Sequence, residues 1–124
     1  MRIAYDERIR KMIEKTIYDF LKAENLSANP YMEVPKTQPK KFIVIEKTGS
    51  SRRNRLETST IVVQSYADTL FGAAQLNEEV KQAMLDGLLT EDSVTSVSLN
   101  GDYNYTDTTT KSYRYQAVFL VTHY

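Results

Sequence analysis

Cysteine is missing from the 124 residues, which excludes disulfide staples, thiolate metal sites and cysteine nucleophiles and leaves stability to a packed core. No uninterrupted apolar run approaches the roughly 18 residues that a membrane span needs. The first residues are charged from Arg2 onward and contain no signal-peptide core, so a soluble cytoplasmic product is expected. Histidine is almost missing as well: His123 is the single imidazole. Also lacking are a P-loop, a dinucleotide fingerprint and zinc-ligand spacing. These absences predict a protein with no catalytic residues, no metal and no cofactor.

What remains is ordinary globular material, 41% hydrophobic and 26% charged. Its length suits one domain, residues 1–124, able to bury about two thirds of its extended surface. Sixteen basic and sixteen acidic residues cancel, but they are unevenly spread. Residues 36–55 hold seven basic side chains (Lys36, Lys40, Lys41, Lys47, Arg52, Arg53, Arg55) against the single acid Glu46. That segment carries a net charge of +6 and the rest of the chain −6. Overall neutrality argues against a general nucleic-acid coating protein. The polarity suits a molecule that meets an acidic surface, or copies of itself, through one loop.

Apolar residues at Ile9, Met12, Ile13, Ile17, Phe20 and Leu21 recur at helical spacing and predict an amphipathic helix over 5–23. Asn25, Ser27, Asn29 and Pro30 stop it, with Asn tolerating the left-handed conformation past a helix end. A short extended piece over 31–34 and a polar turn between Pro35 and Pro39 precede Phe42-Ile43-Val44-Ile45, which reads as a strand buried on both faces. Residues 49–54 are expected to form a loop, and β-branched residues predict a strand over 56–66 paired antiparallel to the previous one. Asp68 is the expected N-cap of a second helix whose apolar face is Ala73, Leu76, Val80, Ala83, Met84 and Leu88. Alternation predicts strands over 93–99, of uncertain facing, and 113–122, joined by a thirteen-residue polar connection over 100–112. The fold class is therefore α+β: an antiparallel or mixed β-sheet with two helices on one face, in the order α-β-β-β-α-β-β.

Candidate chemistry is sparse. His123 reads as a strand residue at a frayed terminus, because a general base needs its ring held by a second group. The acid pairs Asp6-Glu7, Glu78-Glu79 and Glu91-Asp92 are explained by helix-end electrostatics. Gly49, Ser50 and Ser51 beside Arg52 and Arg53 offer amides and guanidinium groups, but they open no helix that could hold a phosphate. As a contact loop the same segment is stronger, since Lys47, Arg52, Arg53 and Arg55 can pair with carboxylates on a partner or touch a nucleic-acid backbone. Tyr103 and Tyr105 offer large contact area at low entropic cost. Tyr113 and Tyr115 fit recognition or cross-strand packing equally well.

The stretch Phe42-Ile-Val-Ile-Glu-Lys-Thr-Gly-Ser-Ser-Arg-Arg-Asn54, followed by Ile61-Val-Val-Gln-Ser-Tyr66-Ala67, a helix and Tyr113-Arg-Tyr-Gln-Ala117, resembles the tail terminator (tail completion, head-tail joining) proteins of long-tailed bacteriophages. Tyr66 stands where that family commonly has an indole, and Gly49-Ser50 where it has a Gly pair. The resemblance implies a structural virion protein, a small subunit of a hexameric ring that caps the tail tube, ends its polymerisation and joins it to the head connector or stopper protein. The implied partners are further copies of the chain, the tail tube protein and the connector, with DNA passing non-specifically through the ring and no membrane. The implied location is the virion tail at the head-tail interface, with host cytoplasm during assembly. The alternative is a small nucleic-acid-binding α+β module using residues 36–55. A small hydrolase ranks last.

Overall fold

The computed structural model describes residues 12–124. Helix α1 (Ile13–Ala23) is followed by β1 (Asn29–Tyr31), β2 (Phe42–Arg53), β3 (Leu56–Ala67), α2 (Leu70–Gly87), a 3-10 turn (Leu88–Thr90), β4 (Val94–Asn104) and β5 (Tyr113–His123). The five strands make one sheet in the order β1-β2-β3-β5-β4. The parallel pairing of β1 with β2 makes it mixed, and every other neighbouring pair is antiparallel.

Strand alternation decides where the core sits. Ile43 and Ile45 of β2, Ile61 and Val63 of β3, and Ala117, Phe119 and Val121 of β5 project to one face. There they meet Ile13, Ile17, Phe20 and Leu21 of α1 and Leu76, Val80, Ala83 and Met84 of α2. Both helices therefore lie on one side of the sheet, as the hydrophobic pattern predicts. On the opposite face Phe42, Val44 and Tyr66 form a smaller cluster with Tyr31 against it, and the Phe42 and Tyr66 rings stack at 4.4 Å. This explains why Phe42 to Ile45 are buried without interruption. Helix α2 is tied at both flanks. Glu79 accepts hydrogen bonds from the Ser27 amide at 3.0 Å and hydroxyl at 2.7 Å, while Lys81 and Asn77 reach Asp102 of β4, each at 3.3 Å.

Several local expectations are corrected. Helix α1 begins at Ile13, because Met12 is extended and 48% exposed; the part of the expected helix over 5–11 lies outside the described residues. Asn29 and Pro30 belong to β1, where proline is tolerated on an edge strand. The N-cap of α2 is Thr69, not Asp68. Its hydroxyl accepts from the Gly72 amide at 2.9 Å, the reach to the third amide that a cap requires. No loop forms over 49–54, since β2 runs on to Arg53 and the reversal is made by Asn54 and Arg55 alone, at φ 52° and 70°. Two successive left-handed residues are the signature of the tight turn whose twist matches paired strands. The connection expected over 100–112 shrinks to 105–112, because β4 continues to Asn104 past an irregularity between Leu99 and Gly101. A second irregularity, between Val94 and Ser96, resolves the facing of β4 by bringing Val94 and Val97 onto the core side.

Gly87 closes α2 against α1. A Cβ built there would lie 2.7 Å from Cζ of Phe20, whereas one built on Gly49 meets nothing within 4 Å. Gly87→Ala is therefore expected to lower unfolding stability by about 1–3 kcal/mol through overpacking. Gly49→Ala is expected to leave it unchanged or slightly raised. Urea midpoints of the two variants check this.

Candidate functional site

The sheet presents chemically active side chains at its two ends, roughly 25–30 Å apart by the rise of its long strands. At the end where β2 turns into β3, the register sets Arg52 opposite Glu57 and Glu57 opposite His123. A bulge between Lys47 and Gly49 shifts the alternation of β2, so that Lys47 before it and Arg52 beyond it both point to the helix side. Glu57 accepts from Arg52 Nη2 at 2.9 Å and from Lys47 Nζ at 3.4 Å, and its Oε2 lies 3.7 Å from His123 Nε2. The buried Ser59 hydroxyl lies 2.8 Å from His123 Nε2 and 3.3 Å from Glu57 Oε2. His123 Nδ1 is 3.1 Å from the carbonyl oxygen of Tyr124. With Arg55 and Glu14, the side chains of Lys47, Arg52, Glu57 and His123 line a cavity of about 610 Å³.

His123 is thus neither frayed nor free: it is 5% exposed and has a polar partner on each ring nitrogen. Its place was readable from the alternation that puts it on the same face as Ala117, Phe119 and Val121. Serine, histidine and glutamate meet here, which no spacing in the sequence announces. The arrangement nevertheless differs from a nucleophile, a base and an orienting acid in series. Glu57 sits on the Ser59 side of the ring instead of at Nδ1, and Ser59 is fully buried. As built, the cluster holds the charged ends of Lys47 and Arg52.

The other end is aromatic. Tyr103 and Tyr105 meet edge to face at 5.9 Å and are 46% and 47% exposed. Arg114 of β5 stacks over Tyr105 at 4.5 Å, donates to the Tyr105 carbonyl at 2.7 Å and donates to the Tyr66 hydroxyl at 2.9 Å. Beside it, Gln64 donates to Gln116, which donates to the Tyr103 hydroxyl. Arg114 is the organising residue that sequence reasoning missed; its signal was its place between Tyr113 and Tyr115 in an alternating strand. The neighbouring loop is closed on itself. Asp107 and Ser112 exchange backbone hydrogen bonds at 3.1 Å, and Asp107 Oδ1 accepts from the Thr109 amide at 3.0 Å.

Of the residues singled out as contacts, Lys47, Arg52 and Arg55 share the cavity at the hairpin end. Arg53, opposite Leu56, lies on the other face beside Thr58 and Thr122. Tyr103 and Tyr105 stand at the far end of the sheet. The basic run over 36–55 is therefore not one patch: Lys40 lines a recess with Phe42 and Tyr66 at the aromatic end, while the arginines lie at the hairpin end. No family model matches the chain, and no curated protein matches it.

The Arg52 hydrogen bond holds the Glu57 carboxyl below its ordinary value near 4.5, with Lys47 and Ser59 adding to the effect against partial burial. A carboxyl lowered in the folded state stabilises the fold above its unfolded pKa and loses that contribution as pH falls through the folded value. Below about 4.5, wild-type stability is therefore expected to fall more steeply with acid than that of Glu57→Gln. Urea unfolding at a series of pH values measures both slopes, and equal slopes would show that the Glu57 ion pairs add nothing.

Proposed function

We propose that this protein is a structural ring subunit of a bacteriophage tail, a terminator that caps the tail tube and joins it to the head connector. The observation that carries this reading is the placement of two unlike recognition surfaces at opposite ends of one sheet, Lys47 and Arg55 in the hairpin cavity and tyrosines at the other end. A joint between two different partners needs two such ends, held at a fixed separation by a stiff element. The tail resemblance of the β2 and β3 sequences supplies the identity of those partners: tail tube on one side and connector on the other.

Backbone strain supports a contact role at the hairpin. Arg55 occupies a left-handed conformation at φ 70°, which costs a non-glycine residue roughly 1–2 kcal/mol. Glycine would relieve it, so the strain marks this exposed turn residue as a candidate contact. Surface is sufficient too. Two lateral contacts of about 800 Å² each would take about a fifth of the 7961 Å² available. The nucleic-acid module is the weaker reading, because the basic run divides between two ends of the sheet.

Size-exclusion chromatography with light scattering, alone and with the tail tube protein of the same virus, tests the proposal. A ring-sized species that halts tube growth is expected. A monomer that leaves the tube protein polymerising, yet binds duplex DNA with steep salt dependence, would replace this reading with the nucleic-acid one. Arg55→Gly is expected to raise unfolding stability by about 1 kcal/mol while weakening assembly, a separation that a purely structural arginine would not give.

A further inference from the structure

The sheet ends in two free edges. Among the described residues, β4 has no strand on its outer side, and β2 is covered by β1 only from Phe42 to Val44. An uncovered edge presents unpaired amides and carbonyls that template another strand. The two edges also match in direction. Three successive antiparallel pairings, β2 with β3, β3 with β5 and β5 with β4, leave β2 and β4 antiparallel to each other. A second copy placed with its β2 against β4 therefore continues the sheet in the favoured antiparallel sense.

Height along the strands selects which residues meet. Across the sheet, Arg52, Glu57, His123 and Val94 share one level, and Ser51, Thr58, Thr122 and Ser96 the next. The outer half of β2 and the first half of β4 thus stand at the same height on opposite edges. Both stretches are small and polar, Gly49-Ser50-Ser51 on one and Thr95, Ser96 and Ser98 on the other, so no bulky side chain keeps a neighbour away. Bulges at Thr48 on β2 and at Thr95 and Asn100 on β4 bound the usable runs and limit slippage. Charge completes the match. Arg52 and Arg53 end the β2 run, and Glu91 and Asp92 lie in the turn before β4, separated from Val94 by Ser93, at that same end.

We infer that copies of this chain associate head to tail by antiparallel pairing of the outer half of β2 with the first half of β4, with Arg52 and Arg53 of one copy against Glu91 and Asp92 of the next. The contact joins unlike surfaces, the kind of interface that forms a ring when the rotation between copies closes. It deepens the ring reading, and it names the partner as a second copy.

Two charge-reversed variants test it by sedimentation velocity of the full chain. Arg52→Glu with Arg53→Glu sets acids against acids, and Glu91→Arg with Asp92→Arg sets bases against bases. Each alone is expected to self-associate roughly tenfold or more weakly than wild type. Mixed in equal amounts they are expected to regain wild-type association as an alternating assembly, because every contact then unites opposite charges. Hydrogen exchange should slow on assembly over 49–53 and 96–99. Loss of association with the arginine variant alone, the acid variant remaining wild type, would overturn the inference in favour of a symmetric β2 contact. A ring unmoved by both variants would overturn the pairing while leaving the ring reading intact. A wild-type chain that stays monomeric even with the tail tube protein would overturn both.

Discussion

Pairing of β3 with β5 over eleven residues, from Glu57 opposite His123 to Ala67 opposite Tyr113, brings the ends of the molecule's chemistry into being. It sets Ser59 and Glu57 beside the one imidazole, Gln64 beside Gln116, and Tyr66 beside Arg114. Between those ends the same ladder stacks Ile61, Val63, Ala117 and Phe119 under the two helices. A slip of one residue would turn Phe119 outward and His123 away from Glu57 together. Packing and polar geometry are thus two consequences of one register. The buried apolar row specifies that register most strongly, since burying a side chain such as Phe or Ile contributes about 1.5–3 kcal/mol.

Charge is managed differently at the two ends. Glu57 pairs with the charged ends of Lys47 and Arg52, while the Arg52 side chain stays 75% exposed. At the aromatic end Arg114 is held between two tyrosine rings and a backbone carbonyl. Each guanidinium is oriented by its own chain, which would reduce the ordering entropy of any association made there. Neither end requires a large cavity.

Element order, helix faces and the four-residue buried strand were legible in the sequence because burial leaves a periodic trace. Ile17, Phe20 and Leu21 declare a helix face, and Phe42 to Ile45 declare a covered strand. What the residues did not disclose depended on partners distant in the chain. Residues 49–54 look like a loop by composition, yet Ser50 and Ser51 are strand because Ser59 and Thr58 stand opposite them. The cluster joins Glu57 and Ser59 of one strand to His123, more than sixty residues further on, so no local spacing could announce the imidazole beside them. The bulges that aim Arg52 inward and realign Val97 belong to the same class: they follow from pairing, and a single strand carries little mark of them. Lys47, Arg52 and Arg55 were singled out for charge alone, and their grouping in one cavity is a product of the fold.

The order of strands in space has a consequence for how the chain reaches this state. Strand β5 lies between β3 and β4, although it follows both in sequence. Until it inserts, β3 lacks a neighbour along one side and β4 has no partner at all. Such distant pairings close large loops and slow the search for the folded state. They also time the appearance of the outer rim. The β4 edge comes into register with the rest of the sheet only after β5 has docked, so an incompletely folded chain cannot display both edges at matched height. The head-to-tail pairing proposed above would therefore be open only to chains in which β5 already stands between β3 and β4.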